Sequence, residues 1–393
     1  MFNFVCLTVV ILACLSIVEL MFPSQKRLSN QLYIIGLLTT AFLTIIKYYY
    51  GPDIATYVPM YEDIPLPSVI LSPSYITDYE KGFLLFCSIC NHYLHMSFWA
   101  MTMVIAVIYL TVIHLVINRL TNLKTFALFF LVFLQTNLIF VELRQCLAVS
   151  LFILSILSFE KKHYILYALC TLAAISLHKS ALIVCGVSLF LLIVMQFRSS
   201  NTMFAISMLF LFVFIMIPLQ PLLTYFVDYM PFSANIIKSI EHHLIISRKV
   251  QAVFAIYLLI LYSLYIYFSR TNKLKTWHII TICGLLFISL FYQYWFFINR
   301  LRSYFLPIII TYVIMLGNNY SGKQLFFKQI SIIAVYLLFF VNFRTMYNSN
   351  LNLKSGIAET STIFKLRHQS KESVINENMK KAEIFWKTEY LKD

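Results

Sequence analysis

The chain has 393 residues, of which 61% are hydrophobic, 17% aromatic and 12% charged, where soluble domains carry about 25% charged residues. That balance excludes a water-soluble globule, and with 8 Gly, 10 Pro and few polar residues it also excludes disordered and collagen-like chains. The formal charge of +14 is spread along the chain rather than gathered in one basic patch, so nucleic acid is not an expected partner.

The apolar residues come in runs of 14 to 22, the longer of them matching the roughly 17 to 25 residues that cross bilayer hydrocarbon. In chain order the stretches able to cross are Phe2 to Phe22, Gln31 to Ile46, Phe98 to Ile117, Phe126 to Val141, Gln145 to Phe159 and Tyr164 to Leu177. Ala181 to Phe197, Met203 to Leu223, Gln251 to Phe268, Trp277 to Ile298, Ser303 to Leu316 and Lys328 to Phe343 follow. The predicted fold is therefore an all-α integral membrane bundle of about twelve transmembrane helices over residues 1–344, with a polar tail over 345–393. The first stretch lacks a basic leader and a small-residue cleavage site, and reads as a retained helix. The eight cysteines all lie within apolar stretches, where free Cys behaves as a small hydrophobe, so no disulfide framework is expected.

Orientation follows from the short loops, which are rich in Lys and Arg on the cytoplasmic side. One alternation places Lys26, Arg27, Arg119, Lys124, Lys161, Lys162, Arg198, Arg270, Lys273, Lys275, Lys323 and Lys328 inside, with Glu160 as their one acidic neighbour. The opposite side then holds a mixture of bases and acids, and the tail lies outside with it. The scheme requires that Gly82 to Met96, which carries Asn91, His92 and His95, stay on the outer face as a re-entrant or interfacial segment.

Ionisable residues at the edge of a span are functional candidates, because a charge at the centre of a membrane helix costs about 2.5 to 3.5 kcal/mol. Four places qualify, all on the outer face. The first reads KYYYGPDIATY from Lys47 to Tyr57, where a Gly-Pro-Asp turn would present Asp53; an aromatic belt explains the same residues. The second is Tyr79, Glu80, Lys81, Gly82 and Phe83, where Glu80 would also favour a helix N-terminus. The third pairs Arg144 and Gln145, at the meeting of two spans, with the knot of Ser176, His178, Lys179 and Ser180. Ala148 and Ser155 share the helical face of Arg144 and are small enough for close packing. Snorkelling explains Arg144 in the plainer reading, and an interfacial imidazole explains His178. The fourth is Asn299 to Tyr304, where Arg300 and Arg302 would open a helix on the side that the positive-inside bias disfavours, with Tyr304 one turn beyond Arg300. A bound anion accounts for those arginines.

Cys87, Cys90, His92 and His95 have zinc-like spacing, but on a helix they spread over more than half of the circumference, so no metal site is expected from them. No phosphate-binding loop, dinucleotide fingerprint, HExxH or GxSxG occurs, and no cofactor is expected.

At these residues the sequence resembles the EpsG family of polysaccharide-polymerising membrane proteins, relatives of the O-antigen polymerase Wzy. The carriers are KYYYGPDIATY, DYEKGF, ELRQCLAVSLFILSI followed by KKHYILYALCTLAAISLHKSAL, and NRLRSY. The third is the most specific, with Arg144, Gln145, Ala148, Lys161, Lys162, His178, Ser180 and Ala181 on the family's pattern. The chain departs from that pattern with Lys47 where Arg is frequent and Lys81 where Pro is frequent. The resemblance implies a GT-C-like polytopic bundle in the cytoplasmic (inner) membrane of a bacterium, with its active face outward. The implied reaction takes a growing glycan from one polyprenyl diphosphate and attaches it to the terminal repeat unit on another, by metal-independent, inverting transfer. Arg144, Arg300, Arg302, Lys47, Lys179, Gln145, Tyr57 and Tyr304 are then expected to bind diphosphate or glycan. His178, Glu80 and Asp53 are the candidate bases. Donor and acceptor lipid-linked glycans and membrane lipid are the expected partners, and a chain-length regulator is admitted. A lipid-linked oligosaccharide flippase remains an alternative, although no internal repeat is visible. A glycan ligase or membrane acyltransferase remains another.

Overall fold

A computed structural model describes residues 2–46, 52–77, 79–140, 142–194, 275–290 and 295–318. Every regular element among the described residues is helical. They fall into two units, one of residues 2–179 and one of residues 180–318. In the first unit, α1 (Phe2–Met21) and α2 (Lys26–Ile46) pack on each other and on α7 (Lys124–Leu134). Between α2 and α6 (Phe98–Leu120) lie three short elements: α3 (Pro52–Glu62), α4 (Pro67–Leu71) and α5 (Lys81–Ser88), the last continued by a π turn at Ile89–Tyr93. After α7 come α8 (Thr136–Phe140), α9 (Leu143–Glu160) and α10 (Tyr164–Leu177). The second unit holds α11 (Ser180–Val194), α12 (Lys275–Leu290) and α13 (Trp295–Asn318), each packed on the other two.

Four helices among the described residues are long and apolar enough to cross a membrane: Lys26–Ile45, Phe98–Leu120, Leu143–Glu160 and Arg300–Asn318. Shorter apolar helices occupy Leu7–Met21, Lys124–Leu134, Tyr164–Leu177, Ser180–Phe190 and Thr276–Leu285. The expected spans Met203 to Leu223, Gln251 to Phe268 and Lys328 to Phe343 lie outside the described residues, as does the tail.

Three expectations about elements are corrected. The PDIATY stretch from Pro52 to Tyr57 is not a loop but the start of α3, since Pro52 sits at the first helical position, where its missing N–H and fixed φ cost nothing. The expected span Phe126 to Val141 is interrupted at Gln135, whose backbone leaves the helical region (φ −118°, ψ 24°). The Gln135 side chain accepts a buried hydrogen bond from Tyr109. Finally, Arg300 and Arg302 do not open a helix, because α13 begins at Trp295 and carries them inside it. Arginine interrupts hydropathy but is a good helix former.

The helix ends of the first unit gather in two groups. At one end, Lys124 Nζ donates to Asn30 Oδ1 at 2.9 Å, and Arg119 Nη2 meets Glu160 Oε1 at 2.9 Å. The α1–α2, α6–α7 and α9–α10 junctions therefore lie together, and these are the junctions that hold most of the basic loop residues in this unit. A Schellman motif makes the α9–α10 turn tight: His163 N donates to Ser158 O at 2.9 Å and Lys162 N to Phe159 O at 3.0 Å. Lys162 takes the left-handed conformation, φ 62°, that this cap requires.

At the same end the buried Glu19 caps α7. Its carboxylate accepts from Thr125 N at 3.2 Å, Phe126 N at 2.9 Å and Ser29 Oγ at 2.5 Å. One side chain thus joins α1, α2 and the first turn of α7, satisfying N–H groups that a helix leaves unpaired. Glu19→Leu would strand those donors, at about 1 to 3 kcal/mol for each. Its melting temperature in detergent should fall clearly below that of the wild type, with Glu19→Gln falling less; an unchanged melt in Glu19→Leu would contradict the capping role.

Candidate functional site

The second group of helix ends in the first unit is built on the α9–α10 hairpin. Helix α9 has 18 residues and α10 has 14, about 27 and 21 Å. Because the two run antiparallel from a tight turn, the first turn of α9 and the end of α10 lie at the same open end. Arg144 is on that first turn, and His178 is the residue that caps α10 in extended conformation. Ala148 and Ser155 on the Arg144 face are buried, as close helix packing requires.

The α5 segment completes the arrangement. It is anchored by side chains that donate to carbonyls at the end of α3 and in the loop after it: Asn91 Nδ2 to Tyr61 O at 2.9 Å and Ser88 Oγ to Pro65 O at 2.7 Å. His92 Nε2 lies 2.8 Å from Ile64 O and Tyr61 donates to Met96 O at 2.8 Å, while Lys81 Nζ reaches Ser72 O at 3.0 Å. Together α5 and the π turn extend about 20 Å, short of the roughly 30 Å of bilayer hydrocarbon. Gly82 brings α5 onto α10, since a Cβ at this position would lie 2.5 Å from the carbonyl oxygen of Ser176 and would also meet the Ser176 hydroxyl.

That approach delivers Glu80, the residue before α5, to both ends of the hairpin. Its Oε2 accepts from Arg144 Nη1 at 2.5 Å, and its Oε1 accepts from the backbone N–H of Lys179 at 3.2 Å. Arg144 Nε donates to the hydroxyl of the buried Tyr57 at 2.9 Å. The guanidinium carbon stands 5.1 Å from the ring of Tyr79 and 5.6 Å from that of Tyr57, within cation–π range. Burial pushes the Glu80 carboxyl up, but the charge of Arg144, backbone N–H groups including that of Lys179, and the charge of His178 together hold it below its ordinary value. A carboxyl lowered in this way contributes stability above its ordinary pKa and loses it as pH falls through the lowered one. Glu80 is therefore ionised at neutral pH.

Of the residues singled out from sequence, Tyr57, Glu80, Arg144, His178 and Lys179 come together here. Gln145 is buried beside Arg144 in α9. Asp53 lies in the first turn of α3, and Lys47 falls outside the described residues. Arg300, Arg302 and Tyr304 belong to the second unit, where Tyr304 is buried and its hydroxyl lies 3.0 Å from Ser180 Oγ. There Gly284 lets α12 approach α13, a Cβ at that position falling 2.6 Å from that of Phe305. Cys87 and Cys90 are buried in the α5 segment, while His92 is taken up by Ile64. Tyr79 and Gly82 stand in the Tyr79 to Phe83 group picked out in the sequence, which assigns a role to neither: Tyr79 offers its ring to Arg144, and Gly82 permits the close approach to Ser176.

A family model described as the EpsG family matches residues 31–355. The chain belongs to the EpsG family. EpsG-like proteins are Wzy-type polymerases, so the family carries a role of the polysaccharide-polymerase type, acting on lipid-linked glycan. No curated protein and no solved structure matches the chain.

Gly82→Ala should force α5 away from α10 and draw Glu80 out of reach of Lys179. We expect normal membrane levels with polymer chains lost or sharply shortened on gels. Full-length chains in this variant would show that the close approach is not needed.

Proposed function

We propose that this EpsG-family chain is a polymerase of O-antigen, capsule or exopolysaccharide that joins polyprenyl-diphosphate-linked repeat units on the outer face of the cytoplasmic membrane. The observation that carries the reading is the state of Arg144. Its guanidinium is partly buried at the head of a membrane helix, and the Glu80 and Tyr57 bonds take one N–H each from Nη1 and Nε. A guanidinium has five N–H groups in a fixed fork, so it keeps donors suited to a phosphate oxygen.

The reaction is a substitution at the anomeric carbon of the donor glycan. The acceptor hydroxyl oxygen forms the new glycosidic bond while the C–O bond to the lipid diphosphate breaks, and the diphosphate leaves with that electron pair. Direct displacement inverts the anomeric carbon. Arg144 offers paired donors to the charge that develops on the leaving group. Arg300, Arg302, Lys47, Lys179, Gln145, Tyr57 and Tyr304 are the further residues assigned to diphosphate and glycan.

The hydroxyl proton needs an acceptor, and His178 is the preferred one. Glu80 already accepts from Arg144 and from Lys179 N–H, and its lowered carboxyl is a weaker base than an imidazole. Asp53 stays as a parallel candidate. The outward orientation draws on the charge bias of the loops: this cluster lies at the opposite end of the first unit from the Lys124, Arg119 and Lys161 junctions.

Arg144→Lys keeps the charge but loses the fork, and should abolish most polymer at normal membrane level. His178→Gln keeps hydrogen bonding and should lower turnover by about 10² to 10⁴. Chain-length ladders and membrane protein levels check both. Wild-type ladders in Arg144→Lys would leave Arg144 as an interfacial anchor, and wild-type ladders in His178→Gln with an inactive Asp53→Asn would move the base to Asp53.

A further inference from the structure

Glu80 occupies a position that neither a base nor a surface charge requires. It sits at the N-terminal boundary of α5 and touches both open ends of the α9–α10 hairpin. Its two oxygens divide between them: one takes Arg144 Nη1 at 2.5 Å, the other the N–H of Lys179 at 3.2 Å. That second bond fixes the peptide unit joining His178 to Lys179. The Glu80 side chain is 9% exposed, whereas that of Arg144 is 23% exposed. The carboxylate is thus set behind the guanidinium rather than in front of it.

We infer that Glu80 is a positioning residue that makes one rigid unit of the diphosphate-binding guanidinium of Arg144 and the peptide carrying His178. This inference rests on the reading of Arg144 as the diphosphate donor set. Without Glu80, the Arg144 side chain would keep the Tyr57 hydroxyl at Nε and the two aromatic rings, but Nη1 would lose the partner that sets the direction of the planar fork. The Lys179 N–H would lose its acceptor. A bidentate donor turned away from its ligand loses most of its advantage, because the fork works through orientation.

The sign of one measurement separates this role from its rivals. Deleting a negative charge beside an anion site should tighten anion binding if only the charge matters. It should weaken binding if orientation matters.

The test uses the full chain in lipid nanodiscs, with radiolabelled farnesyl diphosphate as the probe. Glu80→Gln is expected to weaken binding by about tenfold, and Glu80→Asp, which keeps the charge but is one methylene too short to reach both partners, to weaken it comparably. In an Arg144→Ala background, Glu80→Gln should have no further effect on binding, whereas a merely structural role would add a second loss. Tighter or unchanged binding in Glu80→Gln, or additive losses in the double variant, would overturn the inference while leaving the polymerase reading in place. If Glu80→Gln does not accumulate, Glu80→Asp decides alone, and wild-type affinity there overturns the inference. A wild-type chain that fails to bind farnesyl diphosphate at all would remove the reading of Arg144 and this inference with it.

Discussion

A guanidinium at the head of a membrane helix must be met by partners, and the way Arg144 is met organises the first unit of this protein. Its charge is balanced by one carboxylate, its Nε by one phenol, and its faces by two aromatic rings. The partners come from two places: Tyr57 from α3, and Tyr79 and Glu80 from the approach to α5. The short elements between α2 and α6 are held together by bonds to the Tyr61, Ile64 and Pro65 carbonyls, and the ion pair joins this assembly to the hairpin of long helices. Exposed ion pairs contribute little, but this pair is largely withdrawn from water and hydrogen-bonded on both sides, so removing one member would leave the other without compensation.

The opposite end of the first unit follows a similar rule by other means. Glu19 has no cation in its bonds; it is satisfied by the N–H groups of α7 and by Ser29. Buried carboxylates hold both ends, one through a helix terminus and one through an arginine. The hairpin between them is closed by a three-residue turn in which Lys162 adopts the left-handed cap conformation usually filled by glycine. The tight turn keeps the first turn of α9, with Arg144, and the end of α10, with His178, at one open end.

Much of the site was legible in the sequence, and for physical reasons. Charges at the edges of apolar runs are costly, so Arg144, Glu80 and the His178–Lys179 knot stand out in the sequence, and the alternation of basic loops puts them at one end. The pairing of Glu80 with Arg144 was not legible, because it depends on Gly82 and Ser176 touching, and a glycine's neighbour leaves no mark in composition. Helix α3 was missed because Gly-Pro-Asp reads equally as a turn and as a helix start with Pro at its first position. The break at Gln135 was missed because hydropathy does not register a residue whose side chain is taken up across the fold, here by the Tyr109 hydroxyl. The start of α13 was misplaced because the apolar run that hydropathy marks begins at Ser303, after Arg300 and Arg302, whereas the helix begins at Trp295.

The central claim is that the cluster around Arg144 catalyses bond formation between two lipid-linked glycans. The most direct measurement is a reaction of the purified chain in sealed vesicles that carry polyprenyl-diphosphate-linked repeat units on the accessible leaflet. Product length, anomeric configuration and free polyprenyl diphosphate are followed together. The account predicts one polyprenyl diphosphate released for each glycosidic bond formed, with the anomeric carbon inverted. Movement of intact repeat units between leaflets, with no bond formed and no lipid diphosphate released, would contradict it and make the protein a transporter.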